Sequence, residues 1–249
     1  MLIIGSTALK YHYPDFPREP KDFDVIVNKN DEFPYVREGL KIEKLENPII
    51  DKLYKGLNEK YIYPGDLTTL KASHLCWNIN WEKHQYDLQF LLKKGNKIDE
   101  QLFWELYDYW NEYHGKNKRS DLKMSKEDFF DNAINYSENH HDDLHKIINP
   151  IPMYTRVLKD GCEVELDENK FYNLTHEEKL EFVREEVYIM AFERWKHLDY
   201  RTAYSHMLKK FIMSHVPKFA LIFTLENYIE LHKPKFNFIK QLENGIQNS

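Results

Sequence analysis

Glycine is scarce in this chain, with 8 in 249 residues, and that scarcity removes whole classes of function. There is no GxGxxG fingerprint for a dinucleotide and no Walker A loop: Gly115-Lys116 lacks both the upstream glycine and the following Ser or Thr. A GxSxG nucleophile elbow is also missing. Cysteine is scarcer still. Cys76 and Cys162 are the only two, and they form no CxxC, which argues against a zinc ribbon or a disulfide scaffold and suits a reducing cytoplasm. No apolar run approaches the roughly 18 residues of a membrane span; Phe219-Ala220-Leu221-Ile222-Phe223 is of core-helix length. The N-terminus shows neither a basic nor an apolar leader segment, so no signal peptide is expected. Positive charge is in deficit, with a formal net charge of −6, which disfavours a surface that grips nucleic acid everywhere. Local basic runs (Lys93, Lys94, Lys97; Lys116, Lys118, Arg119, Lys123, Lys126) read as solvated surface or as phosphate contacts.

What the chain does have is ordered chemistry near its start. Leu2-Ile3-Ile4 reads as a strand, and Gly5-Ser6 turns out of it with backbone N–H groups and a hydroxyl available to a phosphate. Asp22-Phe23-Asp24 follows in a second strand over 21–27. Residues i and i+2 of a strand share a face, so the two carboxylates project together, an arrangement suited to a divalent cation. Between turn and strand lies Pro14-Asp15-Phe16-Pro17-Arg18-Glu19-Pro20, stiff and non-helical. Further strands are expected at about 40–45, 60–63 and 85–92. Helices are expected at Ser6–His12 and at Asp66–Leu75, the latter with Asp66 as N-cap.

The run IIGSTALKYHYPDFPREPKDFDVIV resembles the signature of the polymerase-β-like nucleotidyltransferase fold, and Gly-Ser-Thr-Ala-Leu is similar to wording in toxin-type nucleotidyltransferases of phage-defence systems. The resemblance covers residues 1–95 and implies an α/β (α+β) nucleotidyltransferase-like domain. It implies a third carboxylate on a later strand, matched here by Asp87 in Gln85–Leu91, so that Asp22, Asp24 and Asp87 would be catalytic and would bind Mg²⁺ or Mn²⁺. Gly5 and Ser6 would hold the triphosphate. Lys71 on the 66–75 helix would neutralise it, with His74 one turn away on the same face, and Lys83-His84 is a further phosphate-contact candidate. The expected reaction moves a nucleoside monophosphate from an NTP to an acceptor (RNA or tRNA, a protein, or a small molecule), releasing pyrophosphate. Any helix that usually precedes the first strand is expected to be absent, since that strand starts at Met1.

A change of character at Lys93-Lys94-Gly95-Asn96 sets the expected boundary between domain 1–95 and a mainly α-helical domain 96–249. There Phe103, Leu106, Tyr107, Trp110 and Tyr113 form the apolar stripe of a helix ending at Gly115. Ser125 with Asp128 resembles a capping box. Thr175 with Glu178 matches one in full and opens a helix to about Lys196. A hairpin is expected at about 154–166 around Asp160-Gly161, helices at about 199–214 and 218–231, and a frayed tail after Glu243.

Two other readings stay open. One is a non-catalytic nucleotide- or protein-binding module that keeps the fold. The other is a metal-dependent hydrolase centred on His141, Asp142 and His145, with Glu186 and Glu193 on a facing helix and Glu185 beside them. The sequence names neither the acceptor nor the base of the NTP.

Overall fold

The computed structural model describes residues 1–26, 42–45, 49–53, 60–76, 81–116, 154–157, 163–194, 200–214 and 216–233. The chain divides into two compact units, Met1–Lys118 and Arg119–Ser249. Most described residues are helical, with short strands, so the architecture is mixed α and β. Among them, no helix is long and apolar enough to cross a membrane.

In the first unit, β1 (Leu2–Ile3) runs antiparallel to β2 (Phe23–Ile26), which pairs in parallel with β3 (Ile42–Leu45). Leu2 faces Ile26 and Ile3 faces Val25, so the strands form two apolar pairs, one on each face of the sheet, and all four residues are buried. The strand expected at 60–63 is a single bridge, Ile3 to Tyr61. It still satisfies the other edge of β1, because Ile3 N–H donates to Lys60 O (2.7 Å) and Ile62 N–H to Ile3 O (2.9 Å).

Helix α1 (Gly5–His12) leaves β1 after one residue. Helix α2 (Pro64–His74) starts with proline, whose missing N–H costs nothing at the first turn. Tyr63 is its N-cap residue; Asp66, expected there, lies in the first turn and is buried. The largest correction concerns α3 (Trp81–Lys93): the segment 85–92, expected as a strand, is helical throughout. Its buried residues His84, Gln85, Asp87, Leu88 and Leu91 recur at helical spacing, while Tyr86 is half exposed.

Helix α4 (Glu100–Lys116) is one residue longer than its expected stop at Gly115. Asp99 Oδ1 accepts from Leu102 N–H at its start (2.9 Å). It packs on α2, with Trp110 Nε1–H donating to Ser73 Oγ (3.1 Å) and Asp99 N–H to Thr69 Oγ1 (2.9 Å). These ties place α4 in the first unit, so the compact unit extends past the expected boundary at 95/96.

In the second unit, β4 (Tyr154–Val157) and β5 (Glu163–Leu166) form the expected antiparallel hairpin; its Asp160-Gly161 turn, like Ser125, Asp128 and the tail, lies outside the described residues. Helix α5 (Glu168–Asn173) is capped by Asp167, whose Oδ1 accepts from Lys170 N–H (2.8 Å). Helix α6 (His176–Arg194) opens on the expected capping box: Thr175 N–H donates to Glu178 Oε2 (2.8 Å) and Glu178 N–H to Thr175 Oγ1 (3.3 Å). It packs on α7 (Tyr200–Ser214). The last expected helix is broken at Asn227 into α8 (Lys218–Glu226) and α9 (Tyr228–Leu231). Phe171 gathers the rings of Phe182, Phe219 and Phe223 within 5.2–5.8 Å, and Tyr204 OH donates to Leu231 O (2.8 Å).

Thr175→Ala removes one half of the reciprocal cap. We expect it to lower the unfolding free energy of the second unit by about 1 kcal/mol, read as a lower denaturant midpoint at unchanged slope.

Candidate functional site

The site begins with a residue that cannot have a side chain. Gly5 opens α1 at φ +67°, in the left-handed region, and a Cβ placed on it would overlap the Asp24 carboxylate, 2.9 Å from its Cγ. The close approach follows from β1–β2 pairing: Ile4 N–H donates to Asp24 O (3.0 Å), so Asp24 is carried over the first turn of the helix. Thr7 Oγ1 then donates to Asp22 O (3.0 Å). This contact clasps the start of β2 by its backbone and leaves the Asp22 carboxylate unspent. Ser6 is 1% exposed. Its Oγ and Asp22 Oδ1 are buried and have no hydrogen-bond partner among the described residues. The α1 N-terminus has no side-chain cap, so its N–H groups and dipole favour a negative charge there. Gly5 and Asp24 thus meet at one point, with Ser6 and Asp22 their neighbours in the chain.

Asp87 belongs to a different constellation. On α3 and fully buried, it accepts from Arg18 Nη2 with both oxygens (2.8 and 2.7 Å) and from Lys71 Nζ with Oδ2 (2.8 Å). Lys71 and His74 lie one turn apart on α2, as expected. His84 lies one turn before Asp87 on α3, its ring edge-on to His74 at 5.3 Å. The seam between α2 and α3 is therefore polar: Lys71 meets Asp87 and His74 meets His84. Burial pulls the Lys71 pKa down, and the Asp87 charge partly restores it. Burial also pushes the His84 pKa well below 6.5, reinforced by Lys71, His74, Lys83 and Arg18. The direction of that shift favours a neutral His84 imidazole at pH 7.

Among the described residues, no three His, Cys, Asp or Glu side chains gather as a metal-holding group. Asp22 and Asp24 remain one residue apart at β2, and Asp87 sits on a helix between two cations. Arg18 is the residue that sequence reasoning missed. Its signal was faint: a single arginine between Pro17 and Pro20, four positions before Asp22.

The second expected site cannot be assembled, since His141, Asp142 and His145 lie outside the described residues. Glu186 is on α6, as Glu193 is. Burial, followed by repulsion from Glu185, raises the Glu186 pKa to about 7.

Two outcomes are expected. Gly5→Ala forces both the helix start and Asp24 to move, lowering stability by about 1–2 kcal/mol in thermal unfolding. The depressed His84 pKa makes stability fall in acid. Above pH 6.5 neither state takes the proton; below it the unfolded chain does and the folded chain does not. The slope reaches about 1.4 kcal/mol per pH unit and shrinks in His84→Gln, measured by denaturant titration from pH 7 to 5.

Family models match both parts of the chain. Residues 1–64 match a domain of unknown function (DUF7277), and residues 66–244 match a domain of unknown function (DUF7275). The join falls at the start of α2, inside the first compact unit. No curated protein and no solved structure matches the chain. Since the second model spans most of the 249 residues, the chain belongs to the DUF7275 family.

Proposed function

We propose that the chain is a Mg²⁺-dependent nucleotidyltransferase of the polymerase-β-like type, which moves a nucleoside monophosphate from an NTP to an acceptor hydroxyl. The acceptor oxygen bonds to the α-phosphorus as its proton passes to water, the bond from the α-phosphorus to the bridging oxygen of the β-phosphate breaks, and pyrophosphate leaves. The observation that carries this reading is the junction at Gly5. There a glycine-only helix start lies against one carboxylate of an Asp-x-Asp pair, and a buried serine hydroxyl has no partner among the described residues.

The residues present fit a divalent cation. Asp22 has a buried oxygen with no partner among the described residues, and Asp24 sits at the cradle. Mg²⁺ is commonly held by one or two carboxylates and completes its shell with water and substrate phosphates. Asp22 and Asp24 would hold it, and bound there it would offset phosphate charge during displacement. Gly5 lets a phosphate approach the backbone, and the α1 N–H groups and Ser6 Oγ donate to it. Lys71 and His74, expected at the triphosphate, have other neighbours: Lys71 pairs with Asp87 and the His74 ring meets those of His84 and Trp110.

The test uses the purified full chain with labelled ATP, CTP, GTP and UTP, with and without total RNA, in Mg²⁺ or EDTA. Pyrophosphate release is expected with Mg²⁺ for at least one NTP. It should drop to the EDTA level in Asp22→Asn and in Asp24→Asn, with the circular dichroism spectrum unchanged. Nucleotide binding without release for any NTP would instead identify a binding module.

A further inference from the structure

Resting on the nucleotidyl-transfer reading, we propose that Arg18, Asp87 and Lys71 form a positioning latch that holds segment 14–22 so that the Asp22 carboxylate stays beside the Gly5-Ser6 turn. Asp87 is then a positioning residue, not a metal ligand.

The segment is fastened along its length. Phe16 is fully buried, its ring 4.9 Å from Phe90 of α3. Asp15 pairs with Lys94 (2.6 Å). Lys10 of α1 holds both Phe16 O and Glu19 (2.8 Å each). Among the ion pairs that the described residues make on the segment, Arg18–Asp87 is the most sheltered, the two side chains being 26% and 0% exposed. A carboxylate without access to water must keep its partners, because losing one leaves charge stranded in a poor solvent for it. Arg18 therefore has a fixed anchor, and Pro17 and Pro20 restrict the chain on either side of it. Asp22 follows within four residues, a reach of at most about 14 Å. The tether fixes where β2 begins without touching the Asp22 carboxylate.

The same geometry speaks against a cation at Asp87. Its oxygens already accept at 2.7–2.8 Å from two positive side chains, and a metal ion there would face both charges at close range.

The test compares Arg18→Ala, Arg18→Lys, Asp87→Asn and the double variant R18A/D87N in the full chain. For a latch, each disruptive single change speeds amide hydrogen exchange across 14–22. The double variant is less destabilised than the sum of the singles. Turnover falls by between about 10- and 100-fold, as misplacement of a reacting group does, with the Mg²⁺ concentration for half-activation unchanged and Arg18→Lys partly restored. Two results overturn the proposal. One is a Mg²⁺ requirement raised in Asp87→Asn but not in Arg18→Ala, which marks Asp87 as a metal ligand. The other is unchanged exchange at 14–22 with additive destabilisation. If the wild-type chain turns over no NTP, the nucleotidyl-transfer reading fails, while exchange and additivity still decide the latch. Should Asp87→Asn not fold, exchange in Arg18→Ala against Arg18→Lys decides it: faster exchange recovered by lysine supports the latch, and unchanged exchange overturns it.

Discussion

A carboxylate sealed from water organises the first half of this protein. Asp87 has no exposure, and desolvating its charge is tolerable only because Arg18 and Lys71 supply hydrogen bonds as well as opposite charge. The three residues come from the proline-bearing loop, α2 and α3, so one electrostatic requirement joins segments up to 69 positions apart. Hydrophobic packing of Phe16, Leu88 and Leu91 acts in the same place. The charges add a direction that apolar contacts lack, since Arg18 Nη2 must sit between both Asp87 oxygens while Lys71 Nζ holds one of them.

This arrangement also explains why α3 was misread. Gln85–Leu91 alternates, and alternation is the strand signal. The helical signal was present too, at His84, Asp87, Leu88 and Leu91. Two of those four are polar, however, so no apolar stripe stood out. A helix face is legible in sequence when it is buried by greasy side chains. Here it is buried by an imidazole and by a carboxylate whose neutralising partner Arg18 lies far away in the chain, and no local pattern announces the pairing.

Elsewhere the signals were local and could be read. The capping box at Thr175 and Glu178 needs only four residues, and its bonds form as expected. The Gly-Ser turn and the strand carrying Asp24 were readable for a similar reason: a glycine, a short β-branched run and a proline-rich connection each constrain the backbone where they stand. Which side chains meet was only half legible. Sheet pairing brings Asp24 to Gly5, whereas β2 begins at Phe23, one residue after Asp22, so the strand expected over 21–27 does not itself set the Asp22 side chain beside Asp24. The expected third carboxylate depended on a strand that does not exist. Asn227 ends α8 without any glycine or proline to warn of it.

The fastenings of the loop differ in how they meet solvent. Lys94–Asp15 and Lys10–Glu19 are open to water, and in molar salt, where the Debye length shrinks to about 3 Å, mobile ions compete for them. Arg18–Asp87 is sheltered from those ions. A brine-loosened loop would slacken at its margins while still pivoting on Phe16 and the Asp87 anchor of Arg18.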